Sequence, residues 1–448
     1  MVPDLQVRAR EDSASSRLQE KKAGLQSNTY MAELGLQSGA TCEDCEAEAE
    51  ASCACCNDDV RATSASATIQ VVPLRRRLGG ASSLLPSLVR SPGHNASERA
   101  LLQAPKIDFH VHCATGDEEG LAALLRSNRA AGILQAVLLA LRSLHATIED
   151  VRRANDWVLS ACARHASELI PFVTILESSE GAAAMLRDYS DRGARGLKLI
   201  GWTGACIRRY DYDLLGPTMR AVFATAEECA LPVVLHLYLG FDDDAEAPED
   251  SHNASYRDYL AELETLLSAH PRLVLVLAHF GLGFDEGRLP RLNALLARFP
   301  NLYLDTSLYG GAKVKWFGKA SSRAGALADT VSRFPRQILF GTDNFGSRQR
   351  AEHVYRDAVR ASCLHLACSR FSCPELLGAA AEPGEVLGSS ASSAGGGRRS
   401  RAAALGRGAA DNRMALKGLN LASTPDVLRA LLFDNAARLL NAVRNSAA

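Results

Sequence analysis

The sequence predicts an α/β fold, a (β/α)8 TIM barrel, and two observations support that prediction. From Pro105 onward, short apolar runs alternate with amphipathic helical patterns, which is typical of repeated βα units around a parallel sheet. Five of these runs carry a polar residue able to bind a metal ion, and barrels place their chemistry at the carboxyl ends of their strands. An open doubly wound sheet is disfavoured because no glycine-rich phosphate turn follows the first strand.

The pattern predicts eight strands separated by helices. The strands are predicted at 106–112, 133–139, 169–175, 195–200, 232–238, 272–279, 301–307 and 336–343. The helices are predicted near 118–131, 149–164, 180–192, 213–230, 255–269, 286–298 and 321–333. Acidic residues follow Asp117 in the first turn of the first of these helices, where they suit the helix dipole.

The chain has 448 residues, more than the roughly 250 that one such barrel needs. Residues 1–104 are rich in Ser, Ala, Glu and Gln, which predicts a disordered low-complexity extension. The barrel domain is expected over 105–448, with a low-complexity insertion at about 361–412. Thr424 as a cap and Pro425 at the first helical position then predict a helix that returns to pack on the barrel.

Charge and composition exclude several classes of partner. The formal net charge is −1, so nothing favours nucleic acid, and no apolar run is long enough to predict a membrane span. Charged residues near the N-terminus argue against a secretory signal, so we expect a cytoplasmic protein, with organelle targeting by the extension left open. Cys42 and Cys45 have a zinc-ligand spacing, but the later cysteines do not match it, which favours a redox-sensitive patch over structural zinc.

The first predicted strand carries two histidines two residues apart. Period two places His110 and His112 on one face, and near the mouth of a barrel two imidazoles are good ligands for zinc, manganese or iron. The alternative is a pair of hydrogen-bonded core histidines. Asp108 is expected on the same face one step deeper, and a role as hydrogen-bond partner of a histidine is favoured over metal ligation or simple packing.

Three later strands end in further candidates. His236 and His279 end apolar runs, and together with the first pair they complete a plausible metal site. Asp343 ends the last strand, where a carboxylate can bind a metal and also take a proton from its bound water. Each of these histidines alone would more often be a core residue.

Lys198 ends the fourth strand, and three roles are open for it: a carbamylated bridge between two metals, a cation that holds a substrate carboxylate, or a structural ion-pair partner. Loop residues after strands four and five could contact substrate, namely Trp202, Arg208 and Tyr238. Basic side chains there would suit an anionic small molecule. Solvated surface charge is the alternative for each of these loop residues.

These motifs together resemble a known family. Asp-Phe-His-Val-His at 108–112, Gly-Leu-Lys-Leu at 196–199, Ala-His-Phe-Gly at 278–281, Leu-Asp-Thr-Ser at 304–307 and Gly-Thr-Asp-Asn at 341–344 are similar to the amidohydrolase superfamily, and most similar to its branch that includes aminocarboxymuconate semialdehyde decarboxylase. The resemblance covers about 105–360 and 413–442. It implies a distorted barrel holding one or two divalent ions, with zinc as the expected metal.

The resemblance also implies roles for individual residues. His110, His112, His236 and Asp343 would be metal ligands, and Asp343 would double as general base. His279 would polarise the reacting group, orient the water or bind a second metal. Lys198 would be carbamylated only in a binuclear site, so its match leaves the metal count open.

Three functions follow from this resemblance. The leading hypothesis is a hydrolase in which metal-activated water attacks the carbonyl of a small amide, ester or lactone. The alternative is a metal-dependent decarboxylase of a small carboxylated ring or dienoate. A barrel retained only as an interaction module is the third, and the complete ligand set argues against it. A homodimer is left open.

Overall fold

Buried parallel strands follow one another around the molecule in sequence order. The computed structural model describes residues 94–142, 146–177, 179–200, 213–237, 259–282, 287–307, 323–347, 352–371 and 416–446. The strands of its main sheet are β1 (Lys106–Cys113), β2 (Ile133–Leu139), β3 (Leu169–Thr174), β4 (Gly196–Ile200), β5 (Val233–His236), β6 (Leu275–Leu277), β7 (Leu302–Asp305), β8 (Ile338–Leu339) and β9 (Asn344–Gly346).

Helices alternate with these strands, and further helices lie before β1 and after β9. They are α1 (His94–Gln103), α2 (Glu118–Ala130), α3 (Ile148–Arg164), α4 (Ala182–Asp191), α5 (Pro217–Glu228), α6 (Tyr259–Ala269), α7 (Arg288–Arg298), α8 (Ala324–Arg333), α9 (Glu352–Ala367), α10 (Pro425–Arg429) and α11 (Asn435–Ser446). Local signals explain where several of them begin. The Asp117 side chain accepts the Gly120 backbone N–H ahead of α2, and Thr147 and Asp150 form a capping box for α3.

The sheet closes through the two short strands at its ends. β8 pairs with β7, and β9 pairs with β1. Between them Phe109 N donates to Phe340 O at 2.8 Å, and Asp343 N donates to His110 O at 2.8 Å. β8 and β9 are therefore two halves of one eighth strand, broken at 340–343, and the predicted TIM barrel is confirmed.

The first strand does not alternate regularly. Its pairing with β2 has a register irregularity between Asp108 and Val111, and Phe109 belongs to the apolar cluster inside the barrel. Such an irregularity changes the faces to which residues on either side of it point. Asp108 consequently bonds across to Thr342 at the end of the barrel, as described below, and does not lie one step beneath the two histidines as expected.

The C-terminal helices close one end of the barrel. Helix α10 begins at Pro425 as predicted, although the Thr424 side chain makes no capping hydrogen bond. A π-helical turn (Ala430–Asp434) leads into α11, and Phe433 and Leu439 pack in the interior cluster. Asn435 Nδ2 donates to Ile338 O at 2.7 Å, which ties this helix to β8.

Three described elements lie where the sequence suggested no structure. Helix α1 falls inside the segment 1–104, and α9 continues to Ala367, inside the expected insertion. Strand β10 (Arg370–Phe371) also falls there and pairs antiparallel with β11 (Leu416–Lys417). The two helices pack through buried side chains, Leu101 in α1 and Leu366 in α9. Residues 1–93 and 372–415, including the cysteine-rich segment, lie outside the described residues, so the expectations about them stay predictions.

None of the described helices is long and apolar enough to cross a lipid bilayer.

Candidate metal centre and active site

His110, His112 and Asp343 meet at the carboxyl end of the barrel. The two Nε2 atoms lie 3.1 Å apart, and Asp343 Oδ1 lies 3.4 Å from His110 Nε2 and 3.2 Å from His112 Nε2. All three side chains are buried. The ligand atoms of this trio lie close enough together to hold one metal ion.

Hydrogen bonds orient both rings of this trio. His110 Nδ1 lies 2.8 Å from Asp305 Oδ2, and His112 Nδ1 lies 3.1 Å from the carbonyl oxygen of Leu139. Because both partners are acceptors, each ring donates from Nδ1 and turns its Nε2 lone pair towards the trio. Three electron-rich atoms then face one another, and a nearby cation relieves their repulsion. Lys198 Nζ lies 3.3 Å from His110 Nε2 and supplies part of that charge. A divalent metal fits the same three donors.

Two nearby buried polar atoms have no hydrogen-bond partner among the residues that the structure describes. They are Asp343 Oδ2 and His236 Nε2. Buried polar atoms are normally paired, so an orphaned carboxylate oxygen beside two bare imidazole nitrogens is itself a sign of an absent ligand. These atoms fit a divalent cation and a molecule coordinated to it.

His236 and His279 form a second pair beside the trio. His236 Nδ1 lies 3.2 Å from His279 Nε2, and His279 Nδ1 lies 2.8 Å from the carbonyl oxygen of Ser307. His279 therefore donates from Nδ1 and presents Nε2 as an acceptor. His236 does not belong to the group of ligand atoms that surround a single point, so its role as a metal ligand stays a prediction.

The backbone is left-handed at two of the predicted residues. Asp343 has φ 55°, and His279 and Phe280 have φ 57° and 58°. A non-glycine residue in this region costs roughly 1–2 kcal/mol, and such strain persists where surrounding contacts hold it. At Asp343 the turn comes where the eighth strand is broken, and it aims the carboxylate at the two histidines.

Asp305 and Ser307 were not predicted as site residues. Asp305 Oδ1 accepts the backbone N–H groups of His279 at 2.9 Å and of Ser307 at 3.0 Å, and Ser307 Oγ also donates to it. Its other oxygen accepts the His110 ring. The available signal was position: Asp305 lies near the end of the strand predicted at 301–307, and it is the last residue of the observed β7.

A second group of potential ligands, His110, His279 and Asp305, is different in character. Here the ring N–H groups face oxygen acceptors, and Ser307 Oγ lies 2.9 Å from His110 Nδ1 and 3.0 Å from His279 Nδ1. Donors and acceptors already match in this group. It is therefore a hydrogen-bond network behind the rings and leaves no lone pairs for a second ion.

Asp108 has a backbone role. It accepts His110 N at 3.1 Å, Thr342 N at 3.0 Å and Thr342 Oγ1 at 2.6 Å. These contacts join the carboxylate to the backbone of His110 and to Thr342 on the neighbouring strand, so the expected bond to a histidine ring stays a prediction. Asp108 connects β1 to the break between β8 and β9, which places His110 and Asp343 side by side.

Lys198 lies fully buried in the middle of β4, and not at its end as expected, because the strand continues to Ile200. Its Nζ is 3.3 Å from His110 Nε2, and no carboxylate oxygen among the described residues lies within ion-pair distance of it. Burial lowers its pKa to about 8, while Asp305 and Asp343 act in the opposite direction. The geometry thus weakens the ion-pair role and leaves the other two roles as hypotheses.

Burial also determines the charge states of the histidines and Asp343. It is the largest cause of the lowered pKa values of His110, His236 and His279, so these rings are neutral at neutral pH. Burial opposes ionisation of Asp343, but the contact with His112 and the neighbouring His110 and His279 rings lower its pKa on balance. A neutral imidazole and an ionised carboxylate are the forms that bind metal.

The predicted substrate-contacting residues Trp202, Arg208 and Tyr238 lie outside the described residues, so their roles stay predictions.

Solved structures similar to this chain include hydrolases and decarboxylases. A TIM-barrel protein from Bordetella bronchiseptica is 16% identical, with 76% of this chain and 99% of that chain covered and a TM-score of 0.41. 2,6-Dihydroxybenzoate decarboxylase from Rhizobium is 20% identical, with 58% of this chain and 95% of that chain covered and a TM-score of 0.38. Dihydroorotase from Campylobacter jejuni is 15% identical, with 58% of this chain and 82% of that chain covered and a TM-score of 0.35. Identities and TM-scores this low do not indicate which reaction this chain catalyses. No curated protein matches the sequence.

The family itself is established by the sequence. The model of a family described as amidohydrolase matches residues 107–381, more than half of the 448 residues. The match spans β1 to the end of the barrel and includes every residue of the trio. The chain belongs to this amidohydrolase family.

Proposed function

We propose that this protein is a metal-dependent hydrolase that acts on an amide, ester or lactone carbonyl of a small molecule. The observation that carries the proposal is the inward-facing trio of His110 Nε2, His112 Nε2 and Asp343 Oδ1, together with the unpartnered Oδ2 of Asp343. Zinc suits a site of imidazole and carboxylate ligands. When bound there, a divalent cation would lower the pKa of a coordinated water and polarise a carbonyl oxygen.

The chain supplies the remaining chemistry. Asp343 would hold the cation through Oδ1, and its Oδ2, which has no partner among the described residues, would take the proton from an attacking water. His279 Nε2 is an acceptor because Nδ1 of the ring donates to the carbonyl oxygen of Ser307. His236 Nδ1 lies 3.2 Å from that Nε2, so orienting the water would require the water to take the place of His236 there. The buried walls around these groups exclude bulk solvent and strengthen both interactions.

Lys198 favours one alternative, a decarboxylase of a small carboxylated ring or dienoate. It is a buried amine facing the trio, without a carboxylate partner among the described residues. Such a cation would hold a substrate carboxylate beside the metal. Hydrolysis remains the leading proposal because Asp343 Oδ2 is placed to accept the proton of water, which decarboxylation does not consume.

Isotope labelling distinguishes the two reactions. Zinc-loaded protein would be screened against small lactones, esters, amides and carboxylated aromatic acids in H2(18)O and, separately, in D2O. Hydrolysis places solvent oxygen in the product acid, whereas decarboxylation releases carbon dioxide and places deuterium on carbon. Incorporation of (18)O supports the proposal; carbon dioxide with carbon-bound deuterium would replace it with the alternative.

A histidine outside the site provides the matched control. His270 bonds to Glu227 on the outer layer of the barrel, away from the trio. His270→Gln should keep both metal and turnover, whereas His112→Ala should lose both with unchanged helical circular dichroism. Turnover by metal-free protein, or full activity in His112→Ala, would contradict a metal-dependent reaction.

A further inference from the structure

We infer that Asp305 is a positioning residue that holds His110 in the one tautomer able to bind metal. This inference rests on the proposed metal centre for its functional meaning. Its structural basis is independent of that proposal, because it concerns a hydrogen bond behind the ring. No role for Asp305 followed from the sequence motifs.

Both oxygens of Asp305 are used as acceptors. Oδ2 lies 2.8 Å from His110 Nδ1, and Oδ1 receives the N–H groups of His279 and Ser307. The carboxylate is completely buried. Because every group around it is a donor, only a group with two acceptor oxygens satisfies the site.

The His110 ring responds directly to this arrangement. A neutral imidazole carries one N–H, and a carboxylate at Nδ1 keeps the proton there. Nε2 is then bare and faces the Nε2 of His112 and the carboxylate of Asp343. A proton on Nε2 instead would point into the trio and block ligation.

Asp305 also links His110 to the second histidine pair. The same oxygen that holds Ser307 accepts the backbone N–H of His279, in the left-handed turn after β6. Ser307 Oγ lies between the Nδ1 atoms of His110 and His279, 2.9 and 3.0 Å away. One carboxylate therefore sets the geometry of both a predicted ligand and the predicted water-orienting residue.

Asp305→Asn is the informative substitution. An amide has the same shape but only one acceptor oxygen, so one N–H of the side chain must face another donor. We expect His110 to shift towards the Nε2–H tautomer. Loss of a hydrogen-bond partner behind a metal-binding histidine typically weakens metal affinity roughly 10- to 100-fold, and a loss of that size is expected for zinc.

Two measurements test this inference separately. Long-range (1)H–(15)N correlation spectra of metal-free, histidine-labelled protein report the tautomer of His110, assigned by its absence in His110→Gln. Competitive zinc titration against a chromophoric chelator then gives the affinity of wild type and variants. Ser307→Ala is the comparison: it keeps Oδ2 of Asp305, so His110 should retain the Nδ1–H form with a smaller loss of affinity.

The outcomes are distinct. Nδ1–H in wild type, Nε2–H in Asp305→Asn and a tenfold or greater loss of zinc affinity support the inference. An Nε2–H ring in the wild-type protein would overturn it even if Asp305→Asn fails to fold, and so would unchanged tautomer and affinity in a folded Asp305→Asn. If wild type binds no zinc, the proposed function fails, while the tautomer spectra still decide the role of Asp305.

Discussion

Asp343 combines three properties that are seldom found in one side chain: a left-handed backbone, one oxygen directed at two bare imidazole nitrogens, and a second oxygen without a partner. A purely structural carboxylate would have both oxygens paired, as Asp108 and Asp305 do. Asp343 is therefore placed to bind a ligand, whereas Asp108 holds the backbone and Asp305 holds a histidine ring.

Asp343→Asn should therefore remove activity and the response to metal. We expect turnover to fall about 10²- to 10⁴-fold, the usual contribution of a general base. Zinc at about 100 times its Kd should stabilise wild type by about 2.7 kcal/mol and Asp343→Asn by much less. Chemical denaturation with and without zinc measures this difference, with His270→Gln as control. Full activity in Asp343→Asn would refute the proposed role.

His365, on α9, predicts a pH dependence unrelated to the site. Burial lowers its pKa from 6.5 to about 4. Between pH 6.5 and about 4, His365 therefore stays neutral in the folded chain but binds a proton in the unfolded chain. Stability is full above pH 6.5, falls as the pH drops from 6.5 to 4, and changes no further below that for this residue.

We expect this one group to remove roughly 3 kcal/mol across that window, from a pKa difference of about two and a half units. Urea denaturation at pH 7 and pH 4.5 would measure the loss. His365→Gln should lose less stability than wild type between those two pH values. Equal losses in both proteins would show that His365 is not desolvated in solution.

At the scale of elements, the positions of the strands were predictable, but their exact ends and their interruptions were not: the strand predicted at 272–279 is observed as Leu275–Leu277. Each predicted strand lies at its observed position because a buried parallel strand needs a continuous apolar run. The break between β8 and β9 and the irregularity in β1 arise from pairing with a neighbouring strand. Apolar pattern contains no information about that pairing, so the face to which Asp108 points was wrongly predicted.

Lys106 makes contacts between elements that were not predicted from the sequence. Its Nζ donates to the carbonyl oxygens of Leu101, Leu102 and Ala104 at the end of α1, and to Ala131 after α2. A cation at a helix C-terminus also suits the dipole. These hydrogen bonds hold the end of α1 against the start of β1.

Lys106→Met should remove this donor from all four carbonyls, two of them buried, although Leu101 O keeps a longer bond from Ala104 N at 3.3 Å. Since each unsatisfied buried group costs about 1–3 kcal/mol, we expect a total loss of at least about 3 kcal/mol in the free energy of unfolding. Arg99→Met, at an exposed position of α1, should change stability by less than about 0.5 kcal/mol. Similar midpoints for the two variants in urea would contradict the importance of this contact.

For the whole molecule, the start of the folded domain can be tested by two truncations. Removing residues 1–93 deletes no described contact, so stability and turnover should be nearly those of the full chain. Removing residues 1–104 also deletes α1 and leaves Lys106 without three of its acceptors. We expect a clearly lower thermal midpoint for the second truncation. Equal thermal midpoints for the two truncations would place the start of the folded domain at residue 105.

The sequence alone determined that this chain forms a (β/α)8 barrel with His110, His112, His236, His279 and Asp343 at its strand ends, because apolar periodicity and strand position are local properties of a chain. Only the tertiary structure decided which of these atoms face one another, that Asp305 and Ser307 lie behind the rings, and that Asp108 joins two strands. Those relations depend on residues up to 234 positions apart along the chain, and on the closure of the barrel that brings its first and last strands together.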